Sequence, residues 1–287
     1  MAFESASGRE RWRTEVTRVT HYEPALDGHT VLVSADDRFI ALTRASGARR
    51  WEAPVGEHAA GAVLTRVGSE PMALVTTERG VVAALDGGTG QARWSVQLPG
   101  DIWAAPAAGA AETDAVGAVL WTGAAGETVN HLRVFDLATG AVRWESIVEA
   151  GATAAVIHNG LVVLGEGNGN FAARVVARDL ASGAERWSVP APASFESGVT
   201  PGAGGDDVVV SDHFGTVTLV AVRTGKARWQ TAIREPVLET RVVLGAHAVV
   251  IRTYGGKVVV VDRDSGRVVR RVDPAGFPVG VGTSAGR

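Results

Sequence analysis

A β-propeller of four-stranded antiparallel blades is the fold class the sequence predicts, and three observations predict it. One ten-residue pattern recurs seven times along the 287-residue chain. The segments between its copies are short, β-branched and bounded by Gly, Pro or Asp, as strands are. No window carries a 3.6-residue apolar period flanked by helix caps.

The pattern is an apolar run, a polar residue, a small residue followed by Gly, and an aromatic four positions after that Gly. Its copies occupy residues 3–12, 42–51, 85–94, 135–144, 178–187, 220–229 and 261–270. The turn glycines are Gly8, Gly47, Gly90, Gly140, Gly183, Gly225 and Gly266, spaced by 39, 43, 50, 43, 42 and 41 residues. Six of the eight tryptophans take the aromatic position: Trp12, Trp51, Trp94, Trp144, Trp187 and Trp229. The seventh copy has Arg270 there. A fixed period over nearly the whole length is the signature of a repeat architecture.

Each repeat supplies four strands. After Trp187 come runs at 198–200, 207–211 and 216–220, and after Trp229 runs at 240–244, 248–252 and 257–261. The strand carrying the Trp completes each unit. A lone unit of this size exposes apolar faces that only stacking on its neighbours can bury. The Gly suits a tight turn needing positive φ. The acidic residue four positions earlier (Glu4, Asp86, Asp136, Asp179, Asp262) can accept the turn's N–H bonds. The Trp offers a large flat area for the seam between sheets. These tryptophans and glycines are therefore read as structural, blade-docking residues. His158-Asn159-Gly160 reads as a hairpin turn.

Composition removes several function classes. Hydrophobic residues make up 46% of the chain and charged residues 21%, which fits a folded protein with a sizeable core. There are 36 Gly where average usage gives about 20, in keeping with many turns. The net charge of -3 argues against a nucleic-acid partner. With Cys at 0, disulfides, Cys-ligated metals and a Cys nucleophile are excluded. Charges arrive too early in residues 1–12 for a signal peptide. The longest uncharged stretch, 150–165, is interrupted by the predicted turn, so no membrane insertion is expected.

At Ala84-Leu85-Asp86-Gly87-Gly88-Thr89-Gly90-Gln91-Ala92-Arg93-Trp94, and at the copy ending in Trp144, the sequence resembles the quinoprotein-type (PQQ-like) propeller repeat, and specifically the non-enzymatic BamB-like branch of that family. The resemblance implies blades whose strands a to d run from axis to rim, with the repeated pattern as the c–d hairpin. It implies a single domain over 1–287 with six complete blades. A seventh would be closed by pairing the N-terminal hairpin, 1–16, with a C-terminal strand at about 276–283; an eight-blade parent stays open. It also implies an extracytoplasmic protein, although residues 1–12 carry no leader.

Chemistry is not expected. Quinoprotein dehydrogenases, in the resemblance, carry an adjacent Cys–Cys pair over the PQQ cofactor and a calcium site of Glu, Asn and Asp, and this chain lacks that constellation. PQQ with calcium is kept as the alternative, as is a sensor module of a larger membrane kinase or transporter. Gly282-Thr283-Ser284-Ala285-Gly286 matches G-x-S-x-G, but that motif needs a strand–turn–helix. The Gly165–Asn170 stretch has no following helix to hold a phosphate and reads as a strand-to-strand loop, with Glu166 to Asn170 in a b-to-c connection. The seven His are scattered without metal-ligand spacing. No catalytic residue, metal or cofactor is assigned.

Binding is expected on the loops of one face, where the resemblance places the d-to-a and b-to-c connections. The candidates for contact with a protein, peptide or small extracytoplasmic ligand are Tyr22, Asp37, Trp103, His131, Asn168, Glu196, His213, Arg234 and Tyr254. Both tyrosines of the protein and the off-pattern Trp103 fall in this set, and aromatics with Arg are favoured at interface hot spots. The other off-pattern tryptophan, Trp121, reads as core. The expected protein is a monomeric, non-catalytic scaffold.

Overall fold

A computed structural model describes residues 1–4, 7–56, 58–109, 115–122, 129–149, 155–167, 173–190, 197–201, 206–212 and 214–273. Among the described residues there is no helix, and therefore none long and apolar enough to cross a membrane. An N-terminal hairpin pairs Ala2–Phe3 with Glu10–Trp12. Six four-stranded meanders follow, each with its strands a, b, c and d adjacent in chain order.

Sheet 1 is built from Ala25–Leu26, Thr30–Ala35, Arg38–Thr43 and Arg49–Pro54. Sheet 2 uses Ala59–Val67, Glu70–Thr77, Val81–Asp86 and Ala92–Gln97. Sheet 3 uses Ala107–Ala108, Val116–Thr122, Asn130–Asp136 and Val142–Val148. Sheet 4 comprises Val156–His158, Leu161–Gly167, Ala173–Asp179 and Glu185–Pro190. In sheet 5 the strands are Ser197–Pro201, Asp207–Ser211, Thr216–Ala221 and Ala227–Ala232. In sheet 6 they are Val237–Leu244, Ala248–Thr253, Val258–Asp262 and Val268–Val272. The chain divides into two compact units, 1–127 with 131–143 and 128–130 with 144–287. The first holds the hairpin, sheets 1 and 2 and most of sheet 3; the second holds sheets 4 to 6.

In sheets 1 and 2 strands b and c are buried on both faces along most of their length, which is why they read as continuous apolar runs, whereas those of sheet 6 bury every second residue. In sheet 1, Val31, Val33, Ile40 and Leu42 pack with Trp12 of the hairpin. The intervening Leu32, Phe39 and Ala41 pack with Ala73, Val75 and Leu85 of sheet 2. Period-two alternation thus divides one strand between two seams. Sheets 2 and 3 share a seam around Met72, Leu74, Phe135 and Leu137. In the second unit, Val163 and Val175 meet Val208 and Val220, and Val217 and Leu219 meet Val249 and Val259.

The repeated pattern builds each seam. The indole N–H groups of Trp12, Trp51 and Trp94 donate to the carbonyls of Arg44, Gly87 and Leu137 of the next sheet at 2.8, 3.1 and 2.7 Å. Those of Trp144, Trp187 and Trp229 donate to Leu180, Val222 and Arg263 at 2.8, 2.7 and 2.6 Å. Each ring lies on the turn glycine of that next sheet, from Trp12 on Gly47 to Trp229 on Gly266. These glycines have φ between 69° and 76°, and a Cβ on Gly140 or Gly183 would stand 2.7 or 2.9 Å from the indole. Glycine is required twice, by backbone conformation and by the ring above it. Gly8 shares the conformation, with φ 70°, but faces open space.

The c–d pairing of sheets 1, 2, 4, 5 and 6 slips by one residue just before the Trp position. Such a bulge leaves one residue unpaired and re-aims its side chain. In sheets 2 and 4 that residue, Arg93 or Arg186, returns to the turn carboxylate of Asp86 or Asp179 at 2.7 and 2.6 Å; Arg143 of sheet 3 reaches Asp136 at 2.9 Å. The other oxygen of each Asp accepts two backbone N–H groups and a hydroxyl of the turn, as from Gly88 and Thr89 at Asp86. Asn159-Gly160 turns between strands with φ of 49° and 72°, the positive pair that a two-residue hairpin favours.

Candidate functional site

Backbone hydrogen bonds draw the d-to-a links and b–c turns together. After sheet 1, Val55 N donates to Asp37 O at 2.8 Å and Ala59 N to Asp36 O at 2.6 Å. On the far side of that link, Glu78 N donates to His58 O at 2.9 Å. Leu98 and Ile102 repeat the arrangement on Gly80 and Glu78 at 2.8 and 2.9 Å. In the second unit, Ile233 N bonds Gly215 O and Tyr254 N bonds Pro236 O, both at 2.8 Å. The links at 55–59 and 233–236 are fixed to the turns on either side of them, and the link at 98–102 to the turn at 78–80. Loops held this way lose little conformational freedom when a partner docks.

Several candidates sit on these ties. Trp103 is 63% exposed, while Ile102 beside it is buried and anchors the link. Tyr254 is 68% exposed and Phe214 66%. Arg234 is exposed and takes the left-handed conformation, with φ 58°. Asp37 pairs with Arg38 at 2.7 Å; that hydrogen bond holds its carboxyl below the usual range. Tyr22 is half-buried and its hydroxyl donates to Glu78 Oε1 at 3.4 Å. Burial, with the charge and hydrogen bond of Glu78 added, pushes the phenol up to about 12. Asn168, Glu196, His213 and the C-terminal strand at 276–283 lie outside the described residues.

Two expectations are corrected. His131 is not a loop residue: it lies in strand c of sheet 3 and stacks on Trp121 at 4.2 Å and 18°. Trp121 itself is only 4% exposed, in the core. Glu166 belongs to strand b of sheet 4, not to the b–c loop, and is 1% exposed. Its carboxylate accepts from Arg174 at 2.7 Å and Arg178 at 2.8 Å. That triad is a strand-face ion pair, with Arg174 directly opposite Glu166 in register.

In the first unit the ties frame a cleft of about 440 Å³. Arg18, Val19, Thr20 and His21 form one wall, and Asp36, His58 and Glu78 the others. Arg18 pairs with Asp36 at 2.8 Å, and His58 Nδ1 lies 3.9 Å from Glu78. The residues at 18, 58 and 78 were not singled out from the sequence. Loops carry no periodicity, and a left-handed Arg or His leaves no mark on composition. Among the described residues no three His, Asp or Glu side chains converge as a metal site requires.

A family profile described as outer membrane protein assembly factor BamB matches the chain twice, over residues 1–173 and 171–285. The chain belongs to the BamB family. The crystal structure of BamB from Moraxella catarrhalis superposes on 94% of this chain and 79% of its own, with a TM-score of 0.65 and 18% identity. The computationally designed Ika8 protein superposes with a TM-score of 0.63 and 16% identity, over 92% of this chain and 90% of its own. At those identities the likeness shows the fold, and with six four-stranded meanders it places this BamB-family chain among the β-propellers. The serine/threonine-protein kinase AfsK of Streptomyces griseus is 31% identical over 180 residues, 56% of this chain and 22% of the kinase. The chain thus spans about a fifth of that relative's length.

Proposed function

We propose that this BamB-family chain is a monomeric, non-catalytic scaffold that captures a protein or peptide on its d-to-a links and b–c turns. The observation that carries this reading is the exposure of Trp103 in the first unit and of Phe214 and Tyr254 in the second, each on or beside loops tied by backbone hydrogen bonds. Large aromatics left in water on a rigid frame are the anchors that interfaces use. No cofactor is included. A thermal-shift measurement with PQQ and calcium tests that part: a folded-state ligand stabilises by mass action, and a clear upward shift would restore the cofactor reading.

The scaffold is tested by capture from extracts of the native host, followed by mass spectrometry, with the wild type beside Trp103→Ala, Arg234→Ala and Tyr254→Ala. The expected result is a partner retained by the wild type and lost by the variants, with their circular dichroism unchanged. Equal capture by all four proteins removes these loops.

A second reading, a sensor module within a larger membrane kinase, is favoured by the similarity to AfsK. The full-length gene decides it: a kinase domain in the same reading frame supports the module, and its absence leaves the scaffold.

A further inference from the structure

One of the turns bordering the cleft of the first unit is short. Sheet 1 joins strands b and c through Asp36-Asp37 alone, whereas sheet 2 uses 78–80, sheet 5 uses 212–215 and sheet 6 uses 254–257. Those three longer turns place a glycine, Gly80, Gly215 or Gly256, in the left-handed region. The short turn places Asp36 there instead, with φ 42°. Arg18 and His58, on the facing links, are left-handed as well, at 56° and 54°. Three of the five non-glycine residues with positive φ among those described therefore border one recess. Strain of this kind persists only where the surroundings hold it, and it gathers at ligand clamps.

The charges in the recess are poorly matched. Among the Asp, Glu, Arg and Lys side chains that line it, Asp36 and Glu78 oppose Arg18 alone. The Arg18 side chain is 79% exposed and reaches Asp36 from the solvent side. Among the described residues Glu78 has only the long Tyr22 hydroxyl contact at 3.4 Å and His58 at 3.9 Å. Asp37, the remaining carboxylate of the turn, is taken by Arg38. Val19, 51% exposed, offers apolar surface beside these carboxylates. A cationic head on an aliphatic stem matches that combination, since such side chains bury the stem and keep the charge paired. An anion would meet two carboxylates, and like-charge contact works against binding.

We propose that this cleft receives a lysine or arginine side chain of a partner peptide, with Glu78 and Asp36 as its acceptors and Arg18 as the internal cation it displaces. The proposal rests on the loops being a peptide-binding surface and names the chemistry bound there.

The test is fluorescence anisotropy of the purified chain with a labelled peptide of alternating Gly and Lys, its Gln-substituted counterpart and its Glu-substituted counterpart, at low and physiological salt. Binding of the Lys peptide alone is expected. The double variant Asp36→Asn/Glu78→Gln should weaken it at least tenfold. Arg18→Ala, which frees Asp36, should strengthen it several-fold. The same charge change made elsewhere, Glu70→Gln/Asp264→Asn, should leave it unaltered. Equal binding of the three peptides by the wild type, or weakening by Arg18→Ala, overturns the proposal without needing any variant of Asp36 or Glu78 to fold. Such a failure, with Trp103→Ala still losing the captured partner, removes the cleft and keeps the scaffold; loss of both removes both.

Discussion

A Cβ atom on Gly140 would stand 2.7 Å from Cδ2 of Trp94, whose indole N–H is fixed on the carbonyl of Leu137 at 2.7 Å. The ring cannot retreat without breaking that bond, and the glycine cannot change without moving the ring. Gly140→Ala therefore combines a left-handed alanine, about 1–2 kcal/mol, with overpacking of about 1–3 kcal/mol. Gly8 has the same φ and open space above it, so Gly8→Ala should show the conformational cost alone. Urea unfolding of the two variants, compared at midpoint, checks this. Equal shifts would mean that the ring adapts and that the seam is softer than the geometry indicates.

The indole hydrogen bond can be isolated from indole packing. Trp187→Phe keeps an aromatic ring on Gly225 but leaves the carbonyl of Val222, a fully buried residue, without its donor. An orphaned buried acceptor costs about 1–3 kcal/mol. Trp103→Phe, at a site 63% exposed, should stay within about 0.5 kcal/mol of the wild type. The difference between the two unfolding free energies is the quantity to measure.

The frame was legible because each seam repeats one chemical solution, and a repeated solution leaves a period. The run Asp86 to Trp94 shows the turn, the capping carboxylate and the seam residue in plain order. A further signal lay unread in the same runs. All six repeated tryptophans follow an arginine, at 11, 50, 93, 143, 186 and 228, and at 50, 93, 186 and 228 that arginine is the bulged residue. The binding loops were legible only in outline. Trp103 and Tyr254 stand out by residue type, but the cleft is marked by a turn one residue shorter than that of sheet 2 and by backbone angles at Arg18 and His58. His131 was misplaced because strand c of sheet 3 begins at Asn130, earlier than turn residues alone suggest. Glu166 was misplaced because a buried carboxylate satisfied by two arginines looks, in sequence, like a loop acid.

Glu166 should behave as a buried ion-pair centre. Removing one partner of such a group costs about 3–5 kcal/mol, because the remaining charges stay buried, whereas replacing the whole group by apolar residues is often neutral. Arg178 is 12% exposed and Arg174 36%, so Arg174 can recover some hydration and the lower end applies. Glu166→Gln should lower stability by about 3 kcal/mol. Glu166→Met/Arg174→Leu/Arg178→Met should recover most of that loss. A triple variant no better than the single one would show that the contact of Arg174 with Glu185 at 3.3 Å, lost with the arginine, outweighs the relief of the buried charges.

Acid should attack the turns first. The Arg93 guanidinium, with turn N–H and hydroxyl groups, holds Asp86 at about 2 against an ordinary 3.8; Arg186 and Ser182 hold Asp179 at about 2. A depressed folded-state value means that the unfolded chain takes up protons first as pH falls. The stabilisation is thus complete above about pH 5 and is lost progressively as pH falls through 3.8 towards 2. Asp86→Asn/Asp179→Asn keeps an acceptor oxygen in each turn but removes the charge facing Arg93 and Arg186. The double variant should be less stable than the wild type at pH 7, and its stability should fall less steeply between pH 4 and 2.5. Urea unfolding across that range reads both slopes, and parallel slopes would remove these two carboxylates as the source of acid sensitivity.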